Sequence, residues 1–213
     1  MESYSHDSLA VESPVVLVLM GVSGCGKSTV AALLAGQLDW PFEEGDALHP
    51  QANIDKMAAG EALTDDDRWP WLDSVADWID AQLDAGRNGV ITCSALKRSY
   101  RDVLNRRGSG VRFIYLAGSR ETIGERIAAR HGHFMPTSLL DSQFATLEEP
   151  TDDEPSLRIG IGPEPQAIVD QIVGTFGWEA DRTAAPRVAE PLHDEPAETD
   201  PTAAGPTEAE PTT

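Results

Sequence analysis

The chain has 213 residues, enough for one domain with a sizeable core and terminal extensions. Hydrophobic residues make up 40% and charged residues 24%, a soluble balance, and the formal net charge of -20 disfavours nucleic-acid and anionic-membrane partners. Two cysteines, Cys25 and Cys93, cannot build a disulfide framework and read as reduced thiols of a cytoplasmic protein.

Residues 1–13 are polar and acidic, without the basic start and apolar run of a signal peptide, and read as a flexible N-terminus. The most apolar run, residues 15–22, is too short to span a bilayer. A buried strand is expected over 15–20, then a Gly-rich turn and a helix ending near Leu38. A short second strand fits 42–45 and a helix fits 50–59. Thr64 followed by Asp65, Asp66 and Asp67 is a helix-start cluster, and Trp71, Val75, Trp78, Ile79 and Leu83 then recur at helical spacing. Further strands are expected at 90–93, 111–116 and 157–161, and helices at 96–107, 121–130, 138–147 and 166–176. This alternation folds as an α/β domain over residues 14–177, a parallel sheet with helices on both faces.

From 178 to 213 the composition changes. Prolines stand at every fifth position, 186, 191, 196, 201, 206 and 211, among Ala, Glu, Thr and Asp. Such a repeat lacks the apolar residues that offset ordering entropy, so an acidic disordered tail is expected. Of the 16 basic residues only three are lysines, Lys27, Lys56 and Lys97, and each falls in a motif below. A chain that so prefers Arg keeps Lys where a compact ammonium on a flexible stem suits the task.

Gly21-Val22-Ser23-Gly24-Cys25-Gly26-Lys27-Ser28 matches the P-loop pattern G-x-x-x-x-G-K-[ST] in full, between an apolar strand and a helix. Its backbone N–H groups cradle the phosphates of a nucleoside triphosphate, Lys27 reaches the β- and γ-phosphates, and Ser28 is placed for Mg²⁺, with Thr29 next on the nucleotide side; GTPases, ATPases and small-molecule kinases all carry this loop. No Asn-Lys-x-Asp guanine-reading sequence is present.

Phosphoryl transfer also needs an acceptor for the hydroxyl proton and fixed charges around the substrate. Asp46, just after the second strand, is the candidate base or orienting group, or else it caps a turn. Glu44, on the same face if the strand continues, is a candidate to hold a magnesium-bound water. His49, fixed by Pro50, can bond a polyol hydroxyl or serve the loop alone. Arg68 suits a substrate carboxylate through two parallel hydrogen bonds, or a salt bridge within the Asp run. Lys97 and Arg101, four apart on one expected helix, face the same way and can close over the substrate, and Lys56 is a further candidate.

Several segments are similar to the gluconate kinase family: Gly45-Asp46-Ala47-Leu48-His49-Pro50, Asn53-Ile54-Asp55-Lys56-Met57, Leu63-Thr64-Asp65-Asp66-Asp67-Arg68 and Cys93-Ser94-Ala95-Leu96-Lys97. Tyr100-Arg101-Asp102, Arg130-His131-Gly132-His133-Phe134 and Gln143-Phe144-Ala145-Thr146-Leu147-Glu148 continue the likeness, which runs from about residue 15 to 149. The resemblance implies a P-loop fold of the nucleoside-monophosphate-kinase kind with a five-stranded parallel sheet and a lid. It implies ATP-dependent phosphorylation of gluconate at its 6-hydroxyl, Mg²⁺ as cofactor, Ser94 among the substrate contacts, and a homodimer. The stretch around Arg126 and Arg130 resembles the start of the lid in adenylate-type kinases, which puts Arg126 on adenine and Arg130 on the phosphates, in catalysis beside Lys27 and Asp46. Glu44 stands where the family pattern leads one to expect Asp, and the acidic Pro repeat is not a family feature. The rival expectations are a kinase of another small hydroxy acid, such as shikimate, and a nucleotide-binding regulator without transfer activity.

Overall fold

Five consecutive apolar residues, Val16–Met20, form β1, and every one of them is fully buried. Leu17 and Leu19 enter one core while Val16, Val18 and Met20 enter the other, the period-two alternation of a strand covered on both faces. The computed structural model describes residues 14–129 and 137–178. The expected flexible N-terminus, Arg130 with the lid stretch through residue 136, and the Pro repeat lie outside the described residues.

β1 pairs with β3 (Gly89–Thr92) on one side and β4 (Val111–Ala117) on the other. β2 (Phe42–Glu43) and β5 (Ser156–Gly160) form the edges, giving the order β2-β3-β1-β4-β5 with all pairs parallel. Among the described residues seven α-helices follow in chain order: α1 (Lys27–Leu38), α2 (Gln51–Ala58), α3 (Asp65–Asp84), α4 (Arg98–Leu104), α5 (Arg120–Ala129), α6 (Thr137–Thr146) and α7 (Pro165–Phe176). α1 and α7 cover one face through Val30, Leu34, Ile168 and Ile172; α3 and α4 cover the other through Trp71, Val75, Ile79, Tyr100 and Leu104. Among the described residues no helix is long and apolar enough to cross a membrane.

Several element ends shift from the sequence reading, and three of the shifts have a clear local cause. β2 stops at Glu43 because Gly45–Leu48 winds into a 3-10 turn. The helix expected from Leu96 starts only at Arg98, since Ala95 has φ 44° and Lys97 is extended (φ -100°, ψ 150°). At the other end α7 stops on left-handed Gly177 (φ 68°), and the Trp178 N–H donates back to the Val173 carbonyl at 3.1 Å. Trp178, expected to open the tail, instead stacks on Phe176 at 4.6 Å and meets Trp40 edge-on at 4.9 Å. The folded unit therefore includes Trp178.

Candidate active site

The P-loop leaves the end of β1 and is tied down on both sides. The Gly21 N–H donates to the Ser94 carbonyl at 3.2 Å, and the Ser23 N–H donates to Gln143 Oε1 on α6 at 2.6 Å. Gly24 (φ 82°) runs so close to α5 that a Cβ there would lie 2.6 Å from Ile127 Cγ1. Gly26 (φ 103°) caps α1 with no side-chain cap and no acidic residue in the first turn, so the positive end of the helix is kept for an anion. Lys27 curls back, its Nζ donating to the carbonyls of Gly21 at 3.1 Å and Val22 at 3.3 Å. Cys25 is buried under the loop, while Ser28 and Thr29 are exposed on the first turn of α1.

Across the same strand ends, the turn after β2 is pinned to β3. The buried Thr92 hydroxyl donates to Glu44 and accepts from the Gly45 N–H at 3.1 Å, while Trp71 Nε1 donates to the Gly45 carbonyl at 2.7 Å. A Cβ on Gly45 would collide with the Thr92 carbonyl at 2.0 Å, so only glycine fits. This fixes Asp46 as an exposed carboxylate on the turn. Burial pushes the Cys93 thiol up to about 12; Asp46 pushes it the same way and Lys27 the other, so both charges stand within its reach.

His49 stacks on Trp71 (4.2 Å, 14° between planes), and its Nδ1 lies 3.3 Å from Asn53 Nδ2. An amide nitrogen only donates, so His49 accepts at Nδ1 and carries its proton on Nε2. Burial lowers its pKa, opposed by Asp46 and assisted by Arg68, which puts all three groups in one field.

The start of α3 supplies the remaining charges. Thr64 and Asp67 form a reciprocal capping box, with the Thr64 N–H to Asp67 Oδ2 at 2.9 Å. Asp67 also takes Lys56 at 2.6 Å, and this ion pair with the capping bonds lowers its carboxyl to about 2. Asp65 accepts from Lys97 Nζ at 2.6 Å and from Tyr100 OH at 2.7 Å, with Arg68 Nη1 at 3.5 Å. Arg68 and Lys97 both lie over the Tyr100 ring, at 6.0 and 5.5 Å.

Several candidates have protein partners of their own. Arg101 does not close over a substrate, because it is 1% exposed and bound to Glu154 at 2.5 and 2.9 Å and to the Ala95 and Glu148 carbonyls. Its spacing from Lys97 puts them on one face only if both are helical, and Lys97 is not. Lys56 is committed to Asp67 and ties α2 to α3. Glu44 is off the strand, on the turn with Asp46. Arg126 donates to the Ile161 carbonyl just past β5 at 2.5 Å. Sequence reasoning missed Thr92, Trp71, Tyr100 and Gln143 as parts of the site. Only Tyr100 and Gln143 carried a signal, their place in the similar segments.

A P-loop on the central strand, faced across the same strand ends by carboxylate, imidazole, guanidinium and ammonium groups, defines a small-molecule kinase. The family described as an AAA domain matches residues 16–150. Gluconokinase of Gluconobacter oxydans (strain 621H) is 48% identical over 171 residues, covering 80% of this chain and 96% of that protein. The thermoresistant gluconokinase of Escherichia coli (strain K12) is 49% identical over 144 residues, 68% of this chain and 82% of that one. The solved structure of a gluconokinase from Sinorhizobium meliloti 1021 shares 44% identity and a TM-score of 0.70, over 77% of this chain and 92% of that one. The chain belongs to the gluconokinase family.

Proposed function

We infer that the protein transfers the γ-phosphoryl group of ATP to the 6-hydroxyl of D-gluconate, giving ADP and 6-phospho-D-gluconate. The observation that carries this reading is the grouping of Asp46 and Arg68 about His49, with Arg68 and Lys97 meeting at Asp65. A hydroxyl acceptor at Asp46 and a carboxylate cradle at Arg68 and Lys97 suit a linear polyhydroxy acid. That the cradle accepts a carboxylate is supported by Asp65, whose own carboxylate takes hydrogen bonds there from Lys97 and Tyr100.

In this reading the substrate hydroxyl oxygen bonds to the γ-phosphorus as the bond to the bridging oxygen of ADP breaks, and the hydroxyl proton passes to Asp46. Lys27 exchanges its loop carbonyls for phosphate oxygens, and His49 donates from Nε2 to a substrate hydroxyl. Arg68 and Lys97 hold the carboxylate beside Ser94, and Arg126 and Arg130 serve the nucleotide.

Ser28 and Glu44 offer the hard oxygen donors that Mg²⁺ prefers, and among the described residues no group of three or more His, Cys, Asp or Glu is placed to hold a metal unaided. That donor set fits an ion that arrives with ATP and draws its other ligands from phosphate and water. When bound, it neutralises phosphate charge. A homodimer and a cytoplasmic location complete the reading.

The test is ADP release from purified protein with ATP, Mg²⁺ and gluconate, glucose or shikimate. Gluconate should give the highest kcat/KM. A tenfold preference for glucose or shikimate would replace the substrate, and ATP binding without acceptor-dependent ADP release would leave a nucleotide-binding regulator.

A further inference from the structure

The segment 143–148 joins two parts of the site that are far apart in sequence. At one end Gln143 Oε1 accepts the Ser23 N–H at 2.6 Å, across 120 residues. At the other, the Glu148 N–H donates to the Leu96 carbonyl at 2.8 Å and the Glu148 carboxylate accepts the Arg98 N–H at 2.7 Å. Lys97 lies between those two anchor points. A backbone N–H only donates, so the contact at Ser23 orients the Gln143 amide with its oxygen toward the loop. Leu140, one turn earlier on α6, is 5% exposed in the core that α1 also covers, so the helix carrying Gln143 is seated independently of that bond.

We propose that Gln143 is a positioning residue for the nucleotide, acting through the Ser23 N–H rather than on the phosphates. Ser23 immediately precedes Gly24, whose φ of 82° begins the turn into α1. Gln143 holds the entry to that turn from α6, while Ser94 holds Gly21 from the opposite side. Between these two ties the loop keeps the curvature in which Lys27 and the amides at the start of α1 meet the phosphates together. Without Gln143 the half-buried Ser23 N–H loses its partner and the loop is tied on one side only.

The experiment measures ATP binding by calorimetry in Mg²⁺ without acceptor, then steady-state kinetics, for the full chain carrying Gln143→Leu or Gln143→Glu. Leucine has similar bulk and no acceptor oxygen. It should raise the ATP Kd and KM about three- to tenfold, the loss of one hydrogen bond, and leave the acceptor KM within about twofold. Glutamate keeps an oxygen for Ser23 and should bind ATP more tightly than the leucine variant. If the leucine variant does not fold, Gln143→Met takes its place. An ATP Kd within about twofold of wild type in the variant that cannot accept overturns the proposal. So does a glutamate variant that binds ATP more weakly than it, since that places the side chain against the phosphates themselves. The nucleotide measurement needs no acceptor, so its failure is distinct from a failure of the gluconate reading.

Discussion

Lys97 and Asp65, 32 residues apart, meet at 2.6 Å and join the connection after β3 to the first turn of α3. Tyr100 donates to the second Asp65 oxygen at 2.7 Å. The Asp65 carboxyl is held below its ordinary range, first by the Lys97 hydrogen bond and then by Tyr100, and the Lys97 ammonium is raised by the same contact. A substrate carboxylate entering this corner would meet donors already gathered around a carboxylate, and would share them with Asp65 or take them from it.

Arg68 is the group in that corner with spare capacity, since its approach to Asp65 is a long 3.5 Å. If it holds the acceptor's carboxylate, Arg68→Lys keeps the charge and loses the two-pronged geometry. The expected cost is about 1.5–3 kcal/mol, or about ten- to a hundredfold in kcat/KM for gluconate. ATP affinity measured without gluconate should stay unchanged. A variant that weakens ATP and spares gluconate would move Arg68 to the nucleotide side.

Lys27→Ala removes the ammonium that now rests on the Gly21 and Val22 carbonyls. The protein should fold, because those carbonyls can take water at a partly exposed site. Transfer should fall by at least about 10²-fold, because charge stabilisation of the moving phosphoryl group is the main catalytic contribution. Near-normal turnover in a preparation free of contaminating kinase would sink the P-loop assignment.

The P-loop and the sheet are legible in the sequence because local rules set them: glycines at left-handed positions, an unbroken apolar run for a strand buried on both faces. The start of α3 is legible for the same reason, as a capping box closes within three residues. Contacts across the sheet ends are not. Nothing near Arg101 reveals that Glu154, 53 residues on, will bury it. Nothing near Ser23 points to Gln143. The four-residue spacing of Lys97 and Arg101 misleads because Ala95, at φ 44°, delays the helix until Arg98.

Asp46→Asn separates chemistry from binding. The amide keeps the shape and a hydrogen-bonding oxygen but cannot take up the hydroxyl proton. kcat should fall steeply, by about 10²-fold or more, with gluconate KM within a few-fold of wild type. A rise in KM at unchanged kcat would make Asp46 a binding group only.

The Arg101–Glu154 pair should act on stability and leave acceptor affinity alone. The two side chains are 1% and 5% exposed, and Arg101 also binds the Ala95 and Glu148 carbonyls, so it joins α4 to the segment before β5. Arg101→Met strands a buried carboxylate and should cost about 3–5 kcal/mol in denaturant unfolding, whereas Arg101→Met with Glu154→Leu should recover most of it. Burial alone would raise the Glu154 carboxyl, but the Arg101 and Thr151 hydrogen bonds outweigh it and hold the group below its ordinary 4.5. A carboxyl depressed by folding stabilises above its unfolded pKa, and that contribution is lost as pH falls through the folded value. Wild type should therefore lose stability relative to the double variant as pH drops below about 4.5, with the gap constant from there to neutrality. Parallel acid sensitivity in the two proteins would place the titration on other carboxylates, and a raised gluconate KM in the double variant would return Arg101 to the substrate.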